Sequence, residues 1–417
     1  MRQDDLESII LSLSEKDFLD NFNHSESASL YLGSMGVAIH YSWLYNYTKE
    51  PIYKHQAYDL ISSSINNLNS LDGKSSLSGY AGILWGIVHL ININLLSYNE
   101  TKTIIIELKR LILDSISQDI SDHNFDLMHG LIGKLIALQV VYELAPLDQN
   151  DLPPIIENSI SELIEMATAD NISLTVFWQN AFYRKGIINT GMAHGVAGII
   201  WFLTNMSNQP FLTSSIRTKC VLYAKNAANW LILQKTNSPN DHFCIPCDID
   251  LSNNNQSNRF SLAWCHGDLG IASALIGAGK TFKDEKLSIE GVDIAKRIAQ
   301  LEYQNSTILQ DESFIDCSLC HGTFGAFFMF YQLYQWTGEA SLKKAYSYWL
   351  DLSLKSIQNG DNLRGLKTAV ISPDQKIIWQ QNISLLNGVT GTTLILLTYI
   401  MQEQGMDLTH PWFSIFI

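Results

Sequence analysis

The chain has 417 residues, with 27 Lys plus Arg against 41 Asp plus Glu and a formal net charge of −14. That balance excludes a non-specific nucleic-acid binder, which needs a positive field over the phosphates, and suits a cationic peptide partner drawn in by long-range steering. A hydrophobic fraction of 46% and an aromatic fraction of 11% exclude a disordered chain, and only 16% charged residues exclude a large solvated coiled coil.

The chain begins with MRQDDLESIILSLSEKDF, whose apolar residues recur at helical spacing. It lacks the basic start and continuous apolar stretch of a secretory signal. No apolar run is long enough to span a bilayer, and the C-terminal WFSIFI carries no lipidation signal. A cytoplasmic protein is expected.

From Gly33 onward one unit recurs. Gly33 opens GSMGVAIHYSWLY, Gly79 opens GYAGILWGIVHL and Gly130 opens GLIGKLIALQVVY. Gly195 opens GVAGIIWFL, Gly267 opens GDLGIASALIGAG, Gly322 opens GTFGAFFMFYQLY and Gly388 opens GVTGTTLILLTYI. One Gly-x-x-Gly means little. Seven copies, 46 to 72 residues apart and each opening an apolar run, mark a repeat architecture. Residues i and i+3 share a helix face, so the two glycines are expected to form a flat patch that another backbone approaches, with a positive φ available to the preceding turn. The runs are apolar nearly all round, as in buried helices. Amphipathic segments near 52–68, 102–118 and 212–234 alternate with them.

Each repeat therefore reads as a helical hairpin with one amphipathic outer and one buried inner helix. Seven hairpins can stack as an open solenoid or close into an α/α barrel, and the apolarity of the inner helices favours closure. No β-rich region stands out. The stretches 170–190 and 236–262 are polar and irregular, the latter a long loop or small insertion, and no domain boundary interrupts residues 1–417.

The six cysteines are Cys220, Cys244, Cys247, Cys265, Cys317 and Cys320, five of them between 244 and 320. In a large chain without a secretory signal these are reduced thiols, and their clustering points to metal or catalysis. In a closed barrel the residues just before each repeat glycine converge on one end of the axis. His129, His194, His266 and His321 stand there, and Cys265 and Cys320 each precede one of them. Zinc takes thiolate and imidazole ligands, and three protein ligands leave a fourth position open, the arrangement of a catalytic site. Cys265, Cys320 and His321 are the expected ligands of one Zn2+ per chain. The pairs Cys244/Cys247 and Cys317/Cys320 offer a rival four-thiolate site, but their first cysteines stand 73 residues apart, beyond the usual spacing. Cys244 and Cys247 read better as ordinary loop thiols.

Trp264-Cys265-His266-Gly267-Asp268-Leu269-Gly270 resembles the Trp-Cys-x-Gly-x-x-Gly motif of lanthionine synthetase C-like proteins, the LanC family. Cys320-His321-Gly322-Thr323-Phe324-Gly325 resembles its Cys-His-Gly-x-x-Gly motif, and Gly191 to Gly198 resembles its Gly-x-Ala-His-Gly-x-x-Gly motif, in the same order. The resemblance implies an all-α fold, an α/α toroid or double barrel of seven helical hairpins, with a zinc held by Cys265, Cys320 and His321. It implies a cyclase that adds peptide cysteine thiols to dehydroalanine or dehydrobutyrine, forming lanthionine rings. It places His194 as general acid or base and Asp126, four residues before Gly130, as its orienting partner, although a lone Asp before a helix is more often an N-cap. Two departures stand out. His266 follows the first zinc cysteine where lanthipeptide cyclases often carry Tyr, and is a candidate proton donor or a competing zinc ligand. Ser261 occupies the place of the family's arginine, with Arg259 two residues earlier.

The partners implied are a dehydrated precursor peptide of leader plus core, a separate dehydratase and an export transporter, with peripheral membrane association through that complex. Length and the chain start argue against the fused synthetases that carry a dehydratase region. Two other classes were weighed: a non-catalytic LanC-like protein that binds a peptide or a glutathione-like thiol, and an α/α-barrel glycoside-processing enzyme. The last needs paired carboxylates where this chain has His and Cys.

Overall fold

The computed structural model describes residues 3–14, 27–71, 76–170, 173–180, 186–236, 242–251, 259–357, 365–372, 374, 376–406 and 408–417. Among them are fourteen α-helices, alternating between outer and inner members of seven hairpins. The expected N-terminal helix spans Gln3–Leu13; residues 15–18 of that segment lie outside the described residues, as do 237–241 and 252–258 of the expected long loop.

The inner helices are Ser34–Thr48, Tyr80–Asn92, Leu131–Leu144, Val196–Ser207, Asp268–Thr281, Thr323–Thr337 and Val389–Glu403. Each begins one residue after a repeat glycine. They carry a large share of the core: Phe324, Phe327, Phe328 and Phe330 of one helix are all at most 1% exposed, and each such burial stabilises by about 1.5–3 kcal/mol. Two of the outer helices are capped by side chains. Thr213 caps Ser214–Leu233 through Ile216 N–H, and Asp284 caps Glu285–Ile298 through Leu287 N–H.

The inner helices start differently. Their N-cap glycines offer no side chain, and in five of them the chain before the glycine folds back so that the carbonyl six residues before it accepts the first helical N–H. Asp268 N–H reaches the Ser261 carbonyl at 2.9 Å, and Thr323 N–H reaches that of Asp316 at 2.9 Å. Leu131 and Asn124, and Val389 and Asn382, repeat the bond at the same 2.9 Å. The fold-back explains the glycines. A Cβ on Gly270 would meet the Trp264 carbonyl oxygen at 2.1 Å, and one on Gly325 would meet that of Leu319 at 2.0 Å. The backbone that approaches is thus the unit's own turn. Positive φ plays no part: the N-cap glycines Gly33, Gly130 and Gly195 have φ of −140°, −136° and −137°, extended values open to any residue, so steric room is what demands glycine here.

The Cα trace clusters into two compact units that interleave along the chain. One comprises Met1–Leu111, Leu309–Phe328 and Tyr348–Phe416, the other Ile112–Ile308 and Met329–Ser347 with Ile417. In the first, Gln3–Leu13 packs on Val389–Glu403, which in turn packs on Ser34–Thr48. The last repeat turn bonds to the first, Leu386 N–H donating to the Tyr31 carbonyl at 3.0 Å. Buried His40 joins the same helices, its Nε2 at 3.1 Å from Ser14 Oγ and its Nδ1 at 3.1 Å from Thr393 Oγ1. Burial lowers its pKa to about 3, so it is a neutral core residue.

In the second unit, Val196–Ser207 packs on Ser214–Leu233 and on Asp268–Thr281, and Asp268–Thr281 packs on Glu285–Ile298. Consecutive turns are joined as in the first unit: Ala193 N–H donates to the Cys265 carbonyl at 2.8 Å. Among the described residues six short strands, not expected from the sequence, form three antiparallel pairs: Thr168–Asp170 with Thr175–Phe177, Ile187–Asn189 with Asp248–Asp250, and Thr368–Ile371 with Ile377–Gln380. Runs of three or four residues are too short to register as an alternating pattern.

Candidate active site

The turn before each inner helix holds the candidate residues. Its residue six before the glycine is Ser27, Asn124, Asn189, Ser261, Asp316 or Asn382 in six of the repeats. In several, that side chain accepts an N–H two residues on: Asn189 Oδ1 from Gly191 at 2.9 Å, Ser261 Oγ from Ala263 at 3.1 Å and Asn382 Oδ1 from Ser384 at 2.8 Å. Such Asx and Ser turns are locally encoded. They fix the residue two before the glycine, and the backbone bonds Ala193 to Cys265 and Cys320 to Leu386, at 2.8 and 3.1 Å, link that position in one turn to its equivalent in the next. Ser261 is therefore a turn residue. Arg259 instead forms an ion pair with Asp248 at 2.7 Å.

Asp126 and His194 come together across the second unit. Asp126 Oδ1 accepts Met128 and His129 N–H at 2.7 and 2.9 Å, and its Oδ2 lies 2.6 Å from His194 Nδ1. One carboxylate thus fastens its own turn and orients the histidine, so the two roles weighed for it coexist. The His194 side chain is 27% exposed and that of Asp126 5%, so the ring has one edge on the carboxylate and some surface outward. Burial pulls the His194 pKa down, but the hydrogen bond and charge of Asp126, with a further contribution from Cys265, more than offset it and hold it above the ordinary value. The His129 ring stacks on that of His194, centroids 5.7 Å apart and planes 14° from parallel. Cys265 is buried, with its Sγ 3.9 Å from His266 Nε2. Gly191 lets the neighbouring turn pass against it: a Cβ there would lie 2.4 Å from His266 Cα.

Cys320 and His321 sit in the corresponding turn of the first unit. Asp316, which the sequence reading did not single out, is fully buried there. Its Oδ1 accepts Ser318 N–H at 2.7 Å; its Oδ2 accepts Ala369 N–H at 3.1 Å and lies 3.2 Å from His321 Nε2. Burial pushes its pKa up, but His321 and the Ser318 donors outweigh burial and hold it below the usual carboxylate value. The signal was present: Asp316 is the one acidic residue among the six polar turn residues.

Cys265, Cys320 and His321 each offer a donor atom, and those atoms all lie within 4.8 Å of one another. Two thiols and an imidazole suit a borderline-soft cation, so the residues fit the group. Neither His266 nor Cys244, Cys247 or Cys317 joins this cluster among the described residues. Cys244 and Ile245 donate their N–H groups to Asp268 at 2.7 and 3.0 Å, which ties their segment to an inner helix start. Burial pushes the Cys244 and Cys247 thiols up to about 12, and that of Cys317 higher still. These three read as buried protonated thiols.

The family model described as lanthionine synthetase C-like protein matches residues 24–416. Among solved structures, a nisin cyclase is similar at a TM-score of 0.70 and 17% identity, covering 99% of this chain and 96% of that one. That similarity shows the fold, the all-α, α/α toroid expected from the repeats. A cellobiose 2-epimerase from Bacillus thermoamylovorans B4167 is more distant, with a TM-score of 0.44 and 12% identity over 78% of this chain and 87% of that one.

Proposed function

The chain belongs to the lanthionine synthetase C-like family, and from that premise we propose that it is a zinc-dependent lanthionine cyclase. Its substrate is a dehydrated precursor peptide, and the reaction adds a cysteine thiol of the peptide across the C=C bond of its dehydroalanine or dehydrobutyrine. The observation that carries the reading is the gathering of the Cys265, Cys320 and His321 donors within 4.8 Å. These three residues would hold one zinc, which would supply Lewis acidity that favours the thiolate form of the substrate cysteine at neutral pH.

The remaining work falls to side chains. Addition forms a C–S bond at the β-carbon, moves the alkene electron pair towards the α-carbon and requires a proton there, so the thiol proton must leave and one must return. His194, with its proton kept on Nδ1 by Asp126, presents Nε2 to take or give that proton. The Asp126 carboxylate stabilises the imidazolium formed in between. His266, beside Cys265, is the second candidate proton carrier.

The net charge of −14 favours encounter with a cationic peptide. A separate dehydratase supplies the substrate and an exporter removes the product, and the cytoplasm, where the precursor is made, is the expected compartment. Among the described residues no helix is long and apolar enough to cross a membrane.

Cyclisation changes no mass, so the test counts free thiols by alkylation. Zinc-loaded protein incubated with a dehydrated precursor peptide is expected to consume alkylatable thiols and yield rings that survive reduction. Thiols left unchanged, with the peptide nonetheless bound, would replace the cyclase with the thiol-binding protein.

A further inference from the structure

Asp316 stands at a turn position where other repeats use a neutral residue, Asn189, Ser261 or Asn382, for the same local hydrogen bond. A buried carboxylate costs more to desolvate than an amide or hydroxyl, so the turn does not account for it. Its second oxygen does what the neutral residues do not: Oδ2 lies 3.2 Å from His321 Nε2, with Asp316 fully buried and the His321 side chain 32% exposed. His321 is pinned from its backbone as well, its N–H donating to Ser318 Oγ at 3.3 Å.

We propose that Asp316 is the positioning residue of His321, keeping the ring proton on Nε2 and so presenting Nδ1 as the metal-binding lone pair. This rests on the reading that Cys265, Cys320 and His321 hold zinc. A coordinating imidazole nitrogen must be unprotonated, and the partner of the other nitrogen sets which one that is. A carboxylate can only accept from Nε2–H, whereas an amide nitrogen in its place would donate to Nε2 and drive the proton onto Nδ1.

Asp316→Asn makes that change. Asn already serves this turn at 189 and 382, so the Ser318 bond is retained. Zinc affinity measured by competition with a chromogenic chelator is expected to fall about 10- to 100-fold. An affinity within about twofold of wild type overturns the proposal, since outer partners of metal-bound histidines ordinarily matter by more. Cys265→Ala and Cys320→Ala are run beside it. If they abolish zinc binding and Asp316→Asn does not, Asp316 alone is misassigned; if they leave it intact, the zinc site fails and takes the proposal with it. Because Ala369 N–H also loses its acceptor in the variant, a second measurement needs no substitution. Long-range 1H–15N spectra of zinc-loaded wild-type protein are expected to show His321 protonated on Nε2, and protonation on Nδ1 overturns the proposal.

Discussion

Asp126–His194 and Asp316–His321 are built from the same two side chains, each carboxylate using one oxygen on its own turn and the other on an imidazole. They differ in which ring nitrogen is held. Asp126 takes Nδ1 of a histidine 68 residues away in the chain, at 2.6 Å. Asp316 stands beside Nε2 of a histidine in its own turn, at 3.2 Å. The roles proposed for them follow that difference: proton transfer at Nε2 for His194 and metal binding at Nδ1 for His321. The comparison teaches that an aspartate–histidine pair carries no fixed role: the nitrogen it engages decides which nitrogen faces the chemistry.

The sharpest break in that comparison is Cys320→Ala, beside His321. It is expected to remove zinc, read by elemental mass spectrometry of the purified protein, and cyclisation, read by thiol alkylation; one zinc per chain retained would take Cys320 out of the metal site and the proposed zinc site would fail. Next is His194→Ala, expected to keep zinc while cyclisation falls about 10²- to 10⁴-fold, as for loss of a general acid–base residue. Full ring formation by this variant would take the first pair out of the chemistry.

Asp126→Asn sharpens the pair itself. Asp126 supports the raised His194 pKa, so the acid limb of the rate profile is expected to move to lower pH. The sign for stability follows the same shift. A histidine raised on folding contributes fully below its unfolded pKa and loses that contribution as pH rises through the folded value. The gap in melting temperature between wild type and Asp126→Asn is therefore expected to narrow from mildly acidic to mildly alkaline pH, and a gap independent of pH would contradict it. The smallest effect is expected from Cys244→Ala: zinc retained, with a modest fall in stability from one lost buried thiol. Loss of zinc in that variant would move the metal to the paired Cys-x-x-Cys segments.

The helices were legible because each inner helix begins at a glycine pair and is apolar all round, a pattern that local sequence carries. The reason for the glycines was not. From spacing alone they suggested a patch for a neighbouring backbone, whereas the carbonyl that would strike a Cβ on Gly325 belongs to Leu319 of its own turn. The strand pairs escaped notice because three or four residues carry no period. Within the site, Cys265, Cys320 and His321 announced themselves by residue type in register. Asp316 stood out only as the one acidic residue at its turn position, and nothing local tells a carboxylate that also meets a histidine from one that does not.

Sequence by itself determined the seven hairpins, the register of their turns and the donor types gathered there, since turn propensity, helix periodicity and ligand chemistry are properties of short segments. Only the tertiary structure decided that Asp126 reaches His194, that Asp316 stands against Nε2, and that Cys244, Cys247 and Cys317 are buried apart from the donor cluster. Those outcomes depend on which atom of a side chain meets which atom of another, and that is set by how turns and helices pack.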